Sequence, residues 1–244
     1  MENKRQIVLS LDNIVIFPNN EFRIEVDSSF NKTTLSLIDS SADKLMIIVN
    51  PIDNNDLTDI TRLPNIGILA HLKLKIDIPN GKTKIIIEGL KRVKITKYFE
   101  EDSIYKANYQ DIEISNEQEN NYDSVLIKAL EKYINKVPYM SNAVVSQLEN
   151  ATNLNELCDL IASFLPVSYT KKKKYLETIN PIDRTKLLIE DMNEDLKYIE
   201  LERIVKDYKK MKYSDDDKSI SDTIEFRDGF IAGVKLMSSI FLDM

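Results

Sequence analysis

Residues 66–92 read IGILAHLKLKIDIPNGKTKIIIEGLKR, and the alternation in this stretch decides the fold. Leu72, Leu74, Ile76 and Ile78 alternate with Lys73, Lys75 and Asp77. A period of two belongs to a strand with one buried and one wet face. Ile85-Ile86-Ile87 is a short continuous apolar run, consistent with a strand covered on both sides. Between them stands Pro79-Asn80-Gly81. Asn-Gly supplies the positive φ angles of a type I′ turn, so the stretch predicts a hairpin. Gly81-Lys82-Thr83 also has the ending of a phosphate-binding loop. That loop needs a glycine five residues before Gly81, where the sequence has Ile76, and a helix after it, where the pattern is a strand. The hairpin is the reading adopted.

The same period extends toward the N-terminus. Phe22, Ile24 and Val26 alternate with Arg23 and Glu25, and Leu45–Val49 is a second covered run. Leu35, Leu37 and Ile38 follow Ser28-Ser29, which predicts one short helix with a serine cap over residues 29–40. Residues 14–24, IVIFPNNEFRI, place Pro18 inside what would otherwise be one long strand. Proline cannot donate to a sheet ladder, so it belongs at a strand end or edge.

From about residue 122 the period becomes 3.6. Val125, Leu126, Ala129, Leu130, Tyr133 and Ile134 form one amphipathic stripe, and a second helix is expected over about 142–148. Asn153 and Glu156 form a capping pair ahead of Leu157, Leu160, Ile161 and Phe164, and Pro166 ends that helix. Asn180-Pro181-Ile182-Asp183 is a helix start, with a cap, then proline and an acid in the first turn. The helix it opens can run about 30 residues without an internal Gly or Pro. Residues 115–121, SNEQENN, are polar and without periodicity, and mark a boundary. The expected class is α+β: a β domain over 1–115, a helical subdomain over 122–212, and a linker with a C-terminal amphipathic helix over 213–244.

Composition narrows the function classes. The net charge of −7 argues against a chain built to bind polyanions. One cysteine excludes an internal disulfide and a Cys-rich zinc site. One histidine argues against a His-based metal centre or triad. The opening residues, MENKRQIVLSLDN, lack the apolar core of a signal peptide, and no uncharged run reaches the length of a membrane span. The expected compartment is the cytoplasm, with no membrane contact.

Taken in order, these motifs resemble the N-terminal region of the ATP-dependent Lon (La) proteases. Leu9-Ser10-Leu11 and Val15-Ile16-Phe17-Pro18-Asn19 are similar to that family's first strand and its phenylalanine-proline turn. Gly67-Ile68-Leu69-Ala70 matches its next strand, and Ile78-Pro79-Asn80-Gly81-Lys82 through Glu88-Gly89-Leu90-Lys91-Arg92 its hairpin. Cys158-Asp159-Leu160-Ile161-Ala162 through Leu165-Pro166 matches a helical motif of the family. The likeness spans roughly residues 6 to 205. It implies a curved β-sheet or pseudo-barrel domain with one short helix, followed by a helical bundle with a long helix. It also implies recognition of protein substrates, or of unfolded segments, and support of oligomer assembly in ATP-dependent proteolysis and protein quality control.

In that family an ATPase module and a serine-lysine protease module follow this region. None of the five glycines here is placed to wrap a phosphate, and no residues remain for a protease domain. No catalytic activity, cofactor or metal is expected. The alternative is a stand-alone regulatory or scaffold protein that binds one dedicated protein partner through its C-terminal helices.

Several residues carry competing readings. Phe30 stands where the family has a charged opening to its short helix; it is either a contact for unfolded segments or a residue packed on the sheet. His71 reads as a strand residue rather than a ligand or base, and Cys158 as a buried structural thiol rather than a reactive one. Lys171–Lys174 reads as a solvated helix face, with a nucleic-acid patch the weaker alternative, so nucleic acid is not an expected partner. Residues 73–97 carry eight lysines and arginines, expected on the wet side of strands, where they would attract acidic partners.

The tail helix opening at Ser221-Asp222 carries Phe226 and Phe230, with Gly229 and Gly233 four apart. It reads either as a terminal helix packed on the bundle or as a dimer or partner helix. On the long helix, Ile189, Met192, Leu196 and Ile199 form one stripe, and Leu201, Ile204, Tyr208 and Met211 another. Leu201 stands five residues beyond Leu196, about 140° round the helix, so one face cannot serve both stripes. The second is expected to meet the tail helix or a partner. Charged substitutions at Tyr208 and Met211 should then alter tail docking or oligomeric mass, and sedimentation that leaves both unchanged would remove the second surface.

Overall fold

A computed structural model describes residues 4–26, 29–51, 62–78, 82–113, 121–137, 148 and 151–213. Its first half is a single sheet of β1 (Lys4–Ser10), β2 (Glu21–Val26), β3 (Leu45–Val49), β4 (Ile66–Asp77), β5 (Thr83–Glu101) and β6 (Ile104–Asp111). The strand order is β2-β5-β4-β3-β1-β6, and β5 also pairs with β6. That extra pairing closes β5-β4-β3-β1-β6 on itself as a small barrel, with β2 left as an edge strand on the first half of β5. The 19-residue β5 makes this possible. Its residues 83–88 pair with β2, and its residues 93–101 pair with β6. Only β1 and β3 run parallel; α1 (Ser29–Ser40) lies between β2 and β3 in the chain and packs on β1 and β4.

The barrel interior is apolar. Val8, Ile47, Val49, Leu69, Val93, Ile95 and Tyr105 are buried together there. Two bulges bend the strands around this core. Leu69 pairs with Lys91 and Ala70 with Gly89, which leaves Leu90 unpaired; Leu72 pairs with Ile87 and Leu74 with Ile86, which leaves Lys73 unpaired. An extra residue on one strand exchanges the faces of every side chain beyond it. The strict alternation read from residues 72–78 therefore fails past Lys73. Leu72 is buried, but Leu74 and Ile76 are exposed, while the Lys75 side chain is largely covered and paired with Asp77 at 2.7 Å. The expected hairpin joins β4 and β5, and Ile78 N–H donates to the Lys82 carbonyl (2.9 Å) to draw the strands together. Its turn, 79–81, lies outside the described residues. A second hairpin joins β5 to β6 through Asp102-Ser103, both left-handed at φ 52° and 62°.

The helices are α2 (Tyr122–Ile134), α3 (Leu154–Phe164), α4 (Tyr169–Glu177) and α5 (Pro181–Tyr213). Their starts follow the capping logic of the sequence. Asn153 accepts from Glu156 N–H, and Asn180 Oδ1 accepts from the Ile182 and Asp183 N–H groups. Leu126, Leu130 and Tyr133 of α2 are buried, whereas Val125 of the same expected stripe is exposed. The helix expected over about 142–148 lies outside the described residues, apart from Leu148 itself. The chain forms two compact units, Met1–Leu196 and Lys197–Met244. The described part of the second is the end of α5, where Ile204, Val205 and Tyr208 are exposed and Lys206 pairs with Glu202 at 3.7 Å.

Within the first unit a buried charge cluster joins barrel to helices. Arg92 was expected on the wet side of β5, but the strand presents it to α3. Arg92 Nη1 and Nη2 donate to the two Asp159 oxygens at 2.5 and 2.6 Å, and its Nε donates to the Leu176 carbonyl at 3.0 Å. Arg184 Nη1 reaches Asp159 Oδ1 at 2.7 Å and Asn155 Oδ1 at 3.0 Å. Its Nε and Nη2 donate to the Thr178 and Ile179 carbonyls, each at 3.0 Å. All three charged side chains are no more than 2% exposed. Burial pushes the Arg184 guanidinium down to about 10, which leaves it cationic at neutral pH. Asp159→Asn withdraws the counter-charge of two buried cations and is expected to lower stability by about 3–5 kcal/mol. A urea titration reads this as a fall in the midpoint, and a cost below about 1 kcal/mol would mean the cluster behaves as a solvated one.

Candidate functional site

Phe17-Pro18-Asn19-Asn20 forms one wall of a groove. Phe17 and Pro18 are buried, and Asn19 takes a left-handed φ of 57°. A proline followed by a left-handed asparagine is the residue pair that a tight turn of this kind requires. Asn19 N–H donates to the Gly89 carbonyl (2.8 Å), and Gly89 N–H donates to the Asn20 carbonyl (3.0 Å). Two residues thus oppose one, a bulge with its first residue left-handed, from which β2 starts. Asn20 Nδ2 donates to the Pro18 carbonyl at 3.0 Å and ties the turn to itself. A Cβ on Gly89 would run into the Phe17 carbonyl oxygen, so only glycine lets the turn lie this close to β5.

Helix α3 forms the other wall. Its first turn is held by Asn153 and by Glu156, whose Oε2 accepts from Thr152 N–H (2.9 Å) and Thr152 Oγ1 (2.8 Å). Those hydrogen bonds hold the Glu156 carboxyl below the usual glutamate range. Farther along, half-buried Leu160 and Phe164 line the groove opposite the Phe17–Asn20 turn, while Leu157 and Ile161 of the same helix are buried. The space between is a cavity of about 480 Å³. Among the described residues, Pro18, Phe22, Ala151, Leu160 and Phe164 supply its apolar surface, and Glu21 and Glu156 its carboxylates. Asn19, Asn20 and Ser163 add uncharged polar groups. Ser163 does not form a nucleophile–base pair with the nearby Lys172. Its Oγ donates to the Leu160 carbonyl (2.7 Å), and Lys172 Nζ donates to the Ser163 carbonyl (2.9 Å).

Both walls are fixed to one short piece of β5. Gly89 holds the Phe17–Asn20 turn, and Arg92, three residues on, holds α3 through Asp159. The bulge at Leu90 lies between them.

Residues 6–194 match the family described as the ATP-dependent protease La (LON) substrate-binding domain. The chain belongs to this family. It is 24% identical over 206 residues to the Lon protease of Brevibacillus choshinensis, covering 82% of this chain and 26% of that protein. It is 26% identical over 218 residues to the Lon protease of Fusobacterium nucleatum, covering 85% of this chain and 28% of that protein. This chain therefore spans about a quarter of the length of its Lon relatives. The fold is that of the N-terminal domain of the Mycobacterium avium complex Lon protease, at a TM-score of 0.66 and 15% identity, with 78% of this chain and 98% of that one covered. The Lon N-terminal domain protein from Xanthomonas campestris is similar at a TM-score of 0.52 and 13% identity, covering 76% and 97%.

Of the residues singled out in the sequence as contacts, Leu201, Ile204 and Tyr208 belong to the second compact unit, Lys197–Met244. Leu201 is half-buried and Ile204 and Tyr208 are exposed on the end of α5. The side chains of Phe30 and Met211, and Phe226 and Phe230 altogether, lie outside the described residues. Lys171–Lys173 turn out to be largely engaged within the fold. Lys171 pairs with Asp191 (2.7 Å) and Glu194 (2.6 Å), and Lys173 donates to the Pro51 carbonyl (2.8 Å). Cys158 is buried against Thr185, and burial pushes its thiol up to about 11, which makes it structural. Among the described residues no three His, Cys, Asp or Glu groups are placed to hold a metal ion, and no helix is long and apolar enough to cross a membrane. Gly89→Ala is expected to push the Phe17–Asn20 turn off β5 at a cost of about 1–3 kcal/mol. Thermal unfolding checks this, and an alanine variant as stable as the parent would mean the turn does not rest on Gly89.

Proposed function

We propose that this chain is a non-catalytic protein-recognition module that takes apolar or partly unfolded segments of protein substrates into the groove between the Phe17–Asn20 turn and α3. The observation that carries this reading is the groove itself: half-buried Phe22, Leu160 and Phe164 line an open cavity within the residues matched by the substrate-binding family. Aromatic and aliphatic groups held half-covered are the kind of surface that gains most from a partner's apolar side chain. In a Lon-type role the module would act in the cytoplasm, serve ATP-dependent proteolysis and quality control, and support oligomer assembly. The β domain of residues 1–115 and the helical subdomain of 122–212 would supply one wall each, with 213–244 as linker and terminal helix.

A second reading has its own observation. Ile204 and Tyr208, one turn apart on α5, are 56% and 51% exposed. A dedicated protein partner, or a second copy, meeting the α5 stripe and the residues beyond it would make the chain a regulatory or scaffold protein. The test is binding to a permanently unfolded reporter protein, measured with the parent chain and with Phe22→Asp, Phe164→Asp and Tyr208→Asp. Binding at tens of micromolar that either charge abolishes supports the groove. No binding by the parent overturns the recognition reading, and binding lost only in Tyr208→Asp moves the site to α5.

A further inference from the structure

The charged side chains among the groove's described lining are of one sign, and the cations nearby are engaged elsewhere or loosely: Lys172 donates to the Ser163 carbonyl at 2.9 Å. Among the described residues, Glu21 and Glu156 are the charged side chains that line it, and no lysine, arginine or histidine does. Glu21 has cationic neighbours, but at the long end of pairing: Arg23 at 3.5 Å and Lys73 at 3.6 Å, with the Arg23 side chain 80% exposed. Pairs of this kind are weak and screened. Glu156 is held by the two Thr152 donors, both neutral. Its carboxylate is thus fixed in place and charged, with no paired cation among the described residues. An apolar surface beside two carboxylates favours a ligand that brings apolar bulk and positive charge together.

We infer, on the reading that the groove takes polypeptide segments, that it selects those in which a bulky apolar side chain is flanked by lysine or arginine. The apolar group fills the space against Phe22, Leu160 and Phe164, and the flanking cation meets Glu21 or Glu156. Segments with the same apolar group between aspartates or glutamates are rejected, because they set like charges side by side.

The test uses three labelled peptides with one phenylalanine-leucine core, flanked by arginines, by serines or by glutamates, in fluorescence anisotropy against the full chain. The arginine-flanked peptide is expected to bind about 5–10-fold more tightly than the glutamate-flanked one, with serine between. In Glu21→Gln/Glu156→Gln the three affinities are expected to fall within about twofold of one another. The glutamine amides keep the acceptor that Thr152 needs, and circular dichroism checks that the variant is folded. In the parent chain at about 1 M salt, where the screening length is about 3 Å, the order is expected to collapse. Equal binding of all three peptides by the parent at low salt, or an order that persists in the double variant, overturns the charge preference and leaves the recognition reading standing. Failure of all three peptides overturns both. A parent chain that sediments as a dimer and becomes a monomer only when peptide binds would make a second copy the occupant, and overturns the inference as stated.

Discussion

Asp159 receives two guanidinium groups inside the protein, and the placement of helix α3 against β5 and α5 depends on that meeting. The cluster carries one negative and two positive charges, so taken alone it would leave a net positive charge out of water. The excess is met by backbone. Leu176, Thr178 and Ile179 direct their carbonyls at Arg92 and Arg184 from the end of α4, where the helix presents its partial negative charge. Each guanidinium is thereby used on several acceptors at once, which is what Arg's planar fork allows and a lysine would not. Against an apolar replacement such a buried cluster gains little net stability, whereas leaving any one member unpaired is costly. It accepts one register of β5, α3, α4 and α5 and penalises the others.

That register creates the groove. The Phe17–Asn20 turn cannot move away from β5 without losing both Gly89 hydrogen bonds, and α3 cannot move without unpairing buried charge. The two anchors are three residues apart on one strand, so the walls move together or not at all. A groove built this way is preorganised, so a segment of the proposed kind would spend little ordering free energy on entering it. The end of α5 is different. Its exposed Ile204, Val205 and Tyr208 lie in the second compact unit, and among the described residues they have no comparable anchor.

The basic residues show how charge counting along the chain misleads. Arg92 and Lys75 were expected to be wet, and both are covered. Three lysines of the 171–174 run bond carbonyls or acids of this same chain, so a run that reads as solvated is mostly used for packing helices together. The charged side chains among the groove's described lining are acidic. The family likeness gives the fold at 13–15% identity to solved domains, and the groove's charge is a property of this chain's own residues.

The sequence by itself determined the element plan. The change from period two to period 3.6 near residue 122, the Asn153 and Asn180 caps, the break at Pro18 and the strands flanking Pro79-Asn80-Gly81 all reappear in the structure, because each depends on neighbours within a few residues. Those same motifs carried the family resemblance. Only the tertiary structure decided which faces are buried and what they meet. A bulge is one unpaired residue, and Lys73 looks no different from the lysine two places on, so the exchange that exposes Leu74 and Ile76 has no local mark. Phe22 and Phe164 could be read as core from their spacing, but their common groove exists only because Gly89 and Arg92 bring a turn near residue 18 to a helix that begins at Leu154. Burial, charge pairing and cavity shape are sums over residues far apart in the chain, and they are fixed only when the strands and helices close on one another.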